Sequence, residues 1–288
     1  DISEHDGRVQ FFGSNDGGIH WYEIDHSGRL PNELQQSSQL KLRAVFQRQP
    51  GGISPSLSDL RTIIEVDNNL FAVVQNEFYR LFFDPATGAP CRITNLKSGT
   101  EVTDACLRME PLAIFLKKKG EPGRWVNASA AESHSFAAGQ NSVSSRLLFE
   151  EGQIEVNYQV AATATAESIW TISVINHSVF DVLKVRFPNL ERLAVGGEIR
   201  DDVLMWPYVA GEFYPNPAAI GAKVGGYPAT LALGLVDLFD ASGGISLARD
   251  DDDLVASELA SEPDLSRRRI SLSWTSKHRI RAGGGQRE

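Results

Sequence analysis

Apolar and polar positions alternate with a period of two along most of the chain, as in Asn69–Gln75 (NLFAVVQ), Tyr79–Phe83 (YRLFF) and Ser168–Ile175 (SIWTISVI). Successive side chains of a strand point to opposite faces, so this pattern predicts half-buried β-strands, and β-branched and aromatic residues at the apolar positions favour the same element. Stripes of period 3.6 with helix caps are scarce. Turn signals break the strands at short intervals, at 84–88 (DPATG), 97–99 (KSG), 120–123 (GEPG), 151–152 (EG), 176–178 (NHS) and 241–244 (ASGG). Many short strands with such punctuation predict a sandwich or barrel, not alternating strands and helices. One departure is expected: Ser257–Arg268 has room for a short helical turn.

The segment from Gln75 to Val102 is the clearest local prediction. Residues 79–83 alternate, 84–88 turn the chain with Gly88 supplying a positive φ, and Cys91–Leu96 returns antiparallel. Its role is architectural. A boundary falls between Pro50 and Asn69. Before it, residues 30–34 (LPNEL), 40–46 (LKLRAVF) and 58–66 (SDLRTIIEV) read as strands of a partial, jelly-roll-like β module or as extra strands on the main sandwich. The expected organisation is therefore a small N-terminal β segment, 1–66, and a β-sandwich domain, 67–288. Sixty-odd residues are a thin basis for an independent core.

The 288 residues are 42% hydrophobic and 23% charged, an ordinary globular composition. The net charge of −9 argues against a nucleic-acid-binding protein, which shows a basic stripe. The runs Lys117–Lys119 and Arg267–Arg269 are too short to reverse that and read as solvated turns or edges. No apolar run reaches the roughly 18 residues of a membrane helix, so no membrane partner is expected. The chain begins at Asp1 and ends in a Gly-rich tail, and it reads as an excerpt of a longer protein; a secreted or periplasmic parent is the expectation. Two cysteines, Cys91 and Cys106, specify neither a disulfide framework nor a metal site.

Several chemistries lack their motifs. No G-x-S-x-G or G-x-G-x-x-G occurs, so neither that serine-hydrolase arrangement nor dinucleotide binding is expected, and no cofactor is implied. His5, His20, His26, His134 and His278 show no ligand spacing, and Asp250–Asp253 lacks the spacing of a calcium loop, so no metal is expected. Glycoside hydrolysis needs two carboxylates facing one bond. Glu150, Glu151, Asp201, Asp202, Glu212, Asp237 and Asp240 are available, each as readily a turn or solvated acid, and none is assigned a catalytic role.

One stretch stands out. Asp201–Pro217 (DDVLMWPYVAGEFYPNP) gathers aromatic rings, acids and prolines. Sugars present apolar faces edged by hydroxyls, so a site for them combines flat rings with carboxylates or amides. Asp202, Trp206, Tyr208, Glu212, Tyr214 and Asn216 supply that mix and are the candidate carbohydrate-binding residues. If 202–209 is extended, Asp202, Leu204, Trp206 and Tyr208 share one face. Packing of the rings against the sandwich or a neighbouring domain is the competing expectation.

The hairpin 75–102, followed by 172–178 (ISVINHS), 185–190 (VRFPNL), 201–212 (DDVLMWPYVAGE) and 235–251 (LVDLFDASGGISLARDD), resembles in content and order the galactose-mutarotase-like β-supersandwich of multidomain glycoside hydrolases. The resemblance covers about Asn69–Ile280. It implies an all-β, antiparallel supersandwich that associates with carbohydrate and supports a C-terminal (β/α)8 catalytic barrel of the same parent chain, outside this sequence. Asn176–Phe180 (NHSVF) also resembles a segment of aldose mutarotases in which the histidine acts as general acid, which would give His177 that role in an aldose 1-epimerase-like enzyme. Val179 departs from that pattern, and no His-Gly-Gly segment precedes it. A stand-alone carbohydrate-binding module is the third alternative.

Overall fold

The computed structural model describes residues 2–3, 7–14, 19–24, 41–48, 56–57, 71–103, 109–197, 199–208, 211–249, 256–264, 269–283 and 285–287. Segments 30–34 and 58–66, Cys106 and Asp250–Asp253 lie outside them. The chain divides into two compact units, Asp1–Glu65 and Val66–Glu288.

In the first unit, β1 (Ile2–Ser3), β2 (Gly7–Ser14), β3 (Tyr22–Ile24), β4 (Lys41–Arg48) and β5 (Ser56–Leu57) make a three-stranded antiparallel sheet, β3-β2-β4, and a two-stranded ladder, β1-β5.

The second unit opens with the meander β6 (Ala72–Gln75), β7 (Tyr79–Phe83) and β8 (Pro90–Asn95). The register runs from Tyr79 opposite Asn95 to Phe83 opposite Pro90, with a bulge before Phe83. The turn forms as its residues predict. Asp84 Oδ1 accepts the Ala86 N–H at 2.9 Å, the Gly88 N–H donates to the Asp84 carbonyl at 2.7 Å, and Gly88 sits at φ 68°. Cys91 is buried, its Sγ donating to the Phe82 carbonyl at 3.3 Å.

A short hairpin, β9 (Ala113–Lys117) and β10 (Arg124–Asn127), precedes four longer strands: β11 (Ser133–Ala138), β12 (Ser142–Phe149), β13 (Ile154–Ala162) and β14 (Ser168–Asn176). Next come β15 (Asp181–Leu193), β16 (Val203–Trp206), β17 (Glu212–Pro215), β18 (Lys223–Tyr227), β19 (Leu235–Asp240), β20 (Gly243–Ala248), β21 (Ser257–Asp264), β22 (Arg269–Ser276) and β23 (Gly285–Arg287). They form a six-stranded sheet, β10-β9-β15-β22-β21-β18, a five-stranded sheet, β11-β12-β13-β14-β23, and a four-stranded sheet, β17-β16-β19-β20. Every ladder is antiparallel. The helical turn expected in 257–268 does not form at 257–264: Leu259, Ala260 and Ser261 are buried between β18 and β22, where ladder bonds on both sides hold the backbone extended.

Alternation decides which side chains enter the core. In β13, Ile154, Val156, Tyr158 and Val160 are buried, while Glu155, Asn157 and Gln159 face outward. The inner faces of the four sheets meet in one hydrophobic cluster: Leu81 and Phe83, Leu147 and Val156, Ile114 and Leu272, Leu204 and Leu238. Trp170 joins three of these sheets through its ring contacts with Phe83 at 6.2 Å and Phe187 at 5.9 Å. Burial of such side chains stabilises the unit by roughly 1.5–3 kcal/mol each. The chain thus has an all-β, antiparallel architecture of several packed sheets.

Candidate functional site

The four-stranded sheet carries the aromatic and acidic stretch. Strand β16 pairs with β17, Leu204 opposite Tyr214 and Trp206 opposite Glu212, and with β19, Leu204 opposite Leu238. Asp202, Leu204 and Trp206 share one face, as the alternation predicts, and that face points into the core: Asp202 and Leu204 are 0% exposed and Trp206 is 3% exposed. Asp202 and Trp206 therefore leave the set of sugar-contacting candidates, because no ligand reaches a ring or carboxylate enclosed by the sheet.

Tyr208 departs from the common face. Its N–H donates to the Trp206 carbonyl at 2.8 Å across Pro207, a tight turn that rotates it off the strand, and the residue is 45% exposed. Glu212 is exposed and accepts from the Tyr214 hydroxyl. One face of the Tyr214 ring is covered by Lys223, whose Nζ lies 3.7 Å from the centroid. Asn216 adopts a left-handed conformation at φ 50°, and its N–H donates to the Asp202 carbonyl at 2.9 Å. The structure thus separates the six candidates into a buried pair, Asp202 and Trp206, and a surface group, Tyr208, Glu212, Tyr214 and Asn216.

Asp202 is a structural acid in an unusual setting. Its Oδ2 accepts the Val195 N–H at 2.9 Å, while Oδ1 is buried with no hydrogen-bond partner among the described residues. Desolvation pushes its pKa up to about 7, with Asp240 and Asp201 adding to the rise; the Val195 N–H and Arg269 oppose it.

The Asn176-His177-Ser178 segment is a tight turn held by its asparagine. Asn176 is fully buried; its Oδ1 accepts from the Ser178 N–H at 3.0 Å and hydroxyl at 2.8 Å, and its Nδ2 donates to the Phe180 carbonyl at 2.8 Å. His177 is exposed at the end of β14.

Sequence reasoning missed the outer face of the five-stranded sheet. There an open hollow of about 820 Å³ lies over β11 to β14. Two cross-strand rows line it, Ser135-Arg146-Asn157-Ser173 and Ala137-Ser144-Gln159-Thr171. Hydroxyls, amides and a guanidinium project from these rows, with apolar surface between them. At its edge, Glu155 accepts from Arg146 at 2.6 Å and from Asn157 at 2.8 Å. The Arg146 hydrogen bond, followed by that of Asn157, holds the Glu155 carboxyl down at about 2. The signal was present as Ser, Asn, Gln and Thr alternating with buried apolar residues, but that pattern also describes any solvated sheet face. Among the described residues no three His, Cys, Asp or Glu side chains form a metal cage.

No protein-family model matches the chain, and no curated protein matches it. Among solved structures, it is similar to a galactose mutarotase-like protein from Lactobacillus casei, with a TM-score of 0.47 and 10% identity over 72% of this chain and 87% of the other. It is also similar to the α-N-acetylgalactosaminidase NagBb from Bifidobacterium bifidum, with a TM-score of 0.46 and 11% identity over 75% of this chain and 34% of that one. A galactose mutarotase related enzyme from Lactobacillus acidophilus gives a TM-score of 0.46 and 10% identity, covering 75% of this chain and 95% of the other. These are likenesses of chain path to galactose mutarotase-like folds, at identities that transfer no residue role.

Proposed function

We propose that this chain is a carbohydrate-associated β-sandwich domain of a glycoside hydrolase, which supports or completes the active site of a (β/α)8 barrel elsewhere in the parent protein. The observation that carries this reading is the hollow over β11 to β14. Its hydroxyls and amides suit a ligand rich in hydroxyl groups, while its bordering carboxylate, Glu155, is engaged by Arg146 and Asn157. Hydrolysis of a glycosidic bond calls for two carboxylates about 5 Å or about 6.5–9.5 Å apart, one of them with a raised pKa. A single carboxylate held near 2 supplies neither the pair nor the acid. Tyr208, Glu212, Tyr214 and Asn216 form the second surface of this reading, where the hairpin β16–β17 meets sugar or a neighbouring domain.

The test uses the purified chain with oligosaccharides and a panel of aryl glycosides. The expected result is saturable binding that perturbs backbone amides of β12 and β13, is lost in the Asn157→Ala, Gln159→Ala double variant, and is accompanied by no turnover. Turnover abolished by a single carboxylate substitution overturns the supporting role. Absence of binding to any oligosaccharide overturns the carbohydrate association.

Aldose 1-epimerisation with His177 as acid is the second reading. It is favoured by the position of His177, close enough to Glu155 for its charge to help lower that carboxyl. A carboxylate near 2 is a weak proton acceptor, which disfavours it as the base. Polarimetry of freshly dissolved galactose decides: acceleration over buffer that disappears in His177→Ala establishes epimerisation, and its absence removes it.

A further inference from the structure

On the outer face of the six-stranded sheet we infer a separate binding site for an acidic saccharide, built from Trp125, Phe115, Arg186, Lys184 and Asn127. Trp125 on edge strand β10 lies directly opposite Phe115 on β9, and their rings meet edge to face at 5.3 Å. Gly123 leaves room for Phe115 there: a Cβ at that position would fall 2.4 Å from the ring. Any side chain at 123 would therefore push the pair apart. Trp125 is 39% exposed, unlike Trp206 and Trp274 in the core.

The cations reach this platform through an irregularity in β15. Between Val182 and Lys184 the register against β9 shifts, so that Val182 faces Leu116 while Lys184 faces Phe115. A bulge of this kind re-aims the side chains that follow it. Its effect here is to bring Lys184 and Arg186 out on the same face as Phe115, while Val185 turns inward opposite Ile114. Arg186 pairs with Ala113, whose small side chain leaves room for the guanidinium to lean over the Trp125 ring, 4.8 Å from its centroid.

Among the described residues, neither Lys184 nor Arg186 has a carboxylate partner. In a chain with a net charge of −9, two neighbouring cations without acids are a departure from the surrounding field. The nearby acids are engaged elsewhere. Glu258, on the same cross-strand row as Arg186, pairs with Lys277 at 2.9 Å, and Asp181 pairs with Arg279 at 2.5 Å. Asn127, next to Arg186 across Ala113, offers an exposed amide with no capping bond.

An aromatic plane recognises the apolar face of a sugar, an amide its hydroxyls, and a planar guanidinium with a nearby ammonium its anionic group. The combination selects a saccharide bearing a carboxylate or sulfate over a neutral one. This site shares no residue with the hollow over β11 to β14 and stands or falls independently of it.

The experiment titrates the full chain with trigalacturonate, with a sulfated galactan trisaccharide, with neutral galactotriose and with a tetraglutamate peptide, following heat and tryptophan fluorescence. Saturable binding is expected for at least one acidic saccharide, and which one binds identifies the anionic group. Affinity for galactotriose and tetraglutamate should be weaker by about tenfold or more, the step that one charge-assisted hydrogen bond represents. Arg186→Gln and Trp125→Ala should each cost a similar factor, with Trp125→Phe restoring most of the loss. Lys184→Gln provides a second charge-removing variant at a position outside the hydrophobic core. No saturable binding of either acidic saccharide overturns the proposal. So does equal binding of the glutamate peptide, or affinity unaffected by Arg186→Gln and Lys184→Gln.

Discussion

The buried carboxylate of Asp202 accepts the Val195 N–H at 2.9 Å through one oxygen and leaves the other enclosed without a partner among the described residues. The folded state therefore favours the protonated acid, with a pKa of about 7 against 3.8 for the free group. With more protons bound in the native state than in the unfolded chain over that interval, the contribution of this group to stability is fully present below about pH 4 and is lost as pH rises through 7. At about 1.4 kcal/mol for each unit, the fall attributable to this group is a few kcal/mol at most. Urea unfolding between pH 4 and 8 should show it in the wild type, and Asp202→Asn should lack this component. Parallel pH profiles for the two proteins would assign the slope to other groups.

Trp206 and Tyr208 are two residues apart and should behave oppositely. Trp206→Ala removes a core side chain and should destabilise the second unit by about 3–5 kcal/mol. Tyr208→Ala, at an exposed position, should fall within about 0.5 kcal/mol of the wild type. Chemical denaturation of both variants checks this, and a stable Trp206→Ala protein would put that ring outside the core.

Gly88 joins the β7–β8 turn to the underside of the five-stranded sheet. Its carbonyl accepts from the Tyr158 hydroxyl, and a Cβ would lie 2.8 Å from atoms of His134, Ser145 and Tyr158. Gly88→Ala combines left-handed strain with overpacking and should cost about 2–4 kcal/mol. Gly99, at φ 73° with open space around it, supplies the control: Gly99→Ala should show only the backbone cost of about 1 kcal/mol. Equal losses in the two variants would contradict close packing at Gly88. Burial raises the Tyr158 hydroxyl to about 12, so this contact should persist under mildly alkaline conditions.

Glu155 should titrate near pH 2 by carboxyl NMR and move toward 4.5 in Arg146→Met, with a smaller rise in Asn157→Leu. Because its folded pKa is depressed, its contribution to stability is present above about 4.5 and lost as pH falls through 2. The pair is solvent-exposed, so that contribution is small. A wild-type value near 4.5 would leave Arg146 unengaged.

The parts of the fold legible in the sequence were those fixed by local chemistry. The hairpin from Tyr79 to Asn95 was readable because Asp84 and Gly88 determine its turn and alternation determines its faces. In 202–206 the alternation grouped Asp202, Leu204 and Trp206 on one face, but a period of two does not say which face is the inside. The same chemistry that marks a sugar platform marks a core tryptophan beside a buried acid. Tyr208 left the group because Pro207 bends the chain, and Ser257–Asp264 became a strand because neighbours on both sides supply ladder bonds. The hollow over β11 to β14 depends on how four strands curve together, and the bulge in β15 depends on pairing with β9. Neither property resides in any one segment.

The strict alternation of β12 and β13 has a consequence for how such a surface changes over time. Val143, Leu147, Val156 and Val160 are enclosed, whereas Ser144, Arg146, Asn157 and Gln159 look outward from the same two strands. Variation at the second group alters what the surface recognises while sparing the residues that hold it in shape. A randomised library at those four positions should yield folded proteins in high proportion, with altered ligand preference as its principal variable.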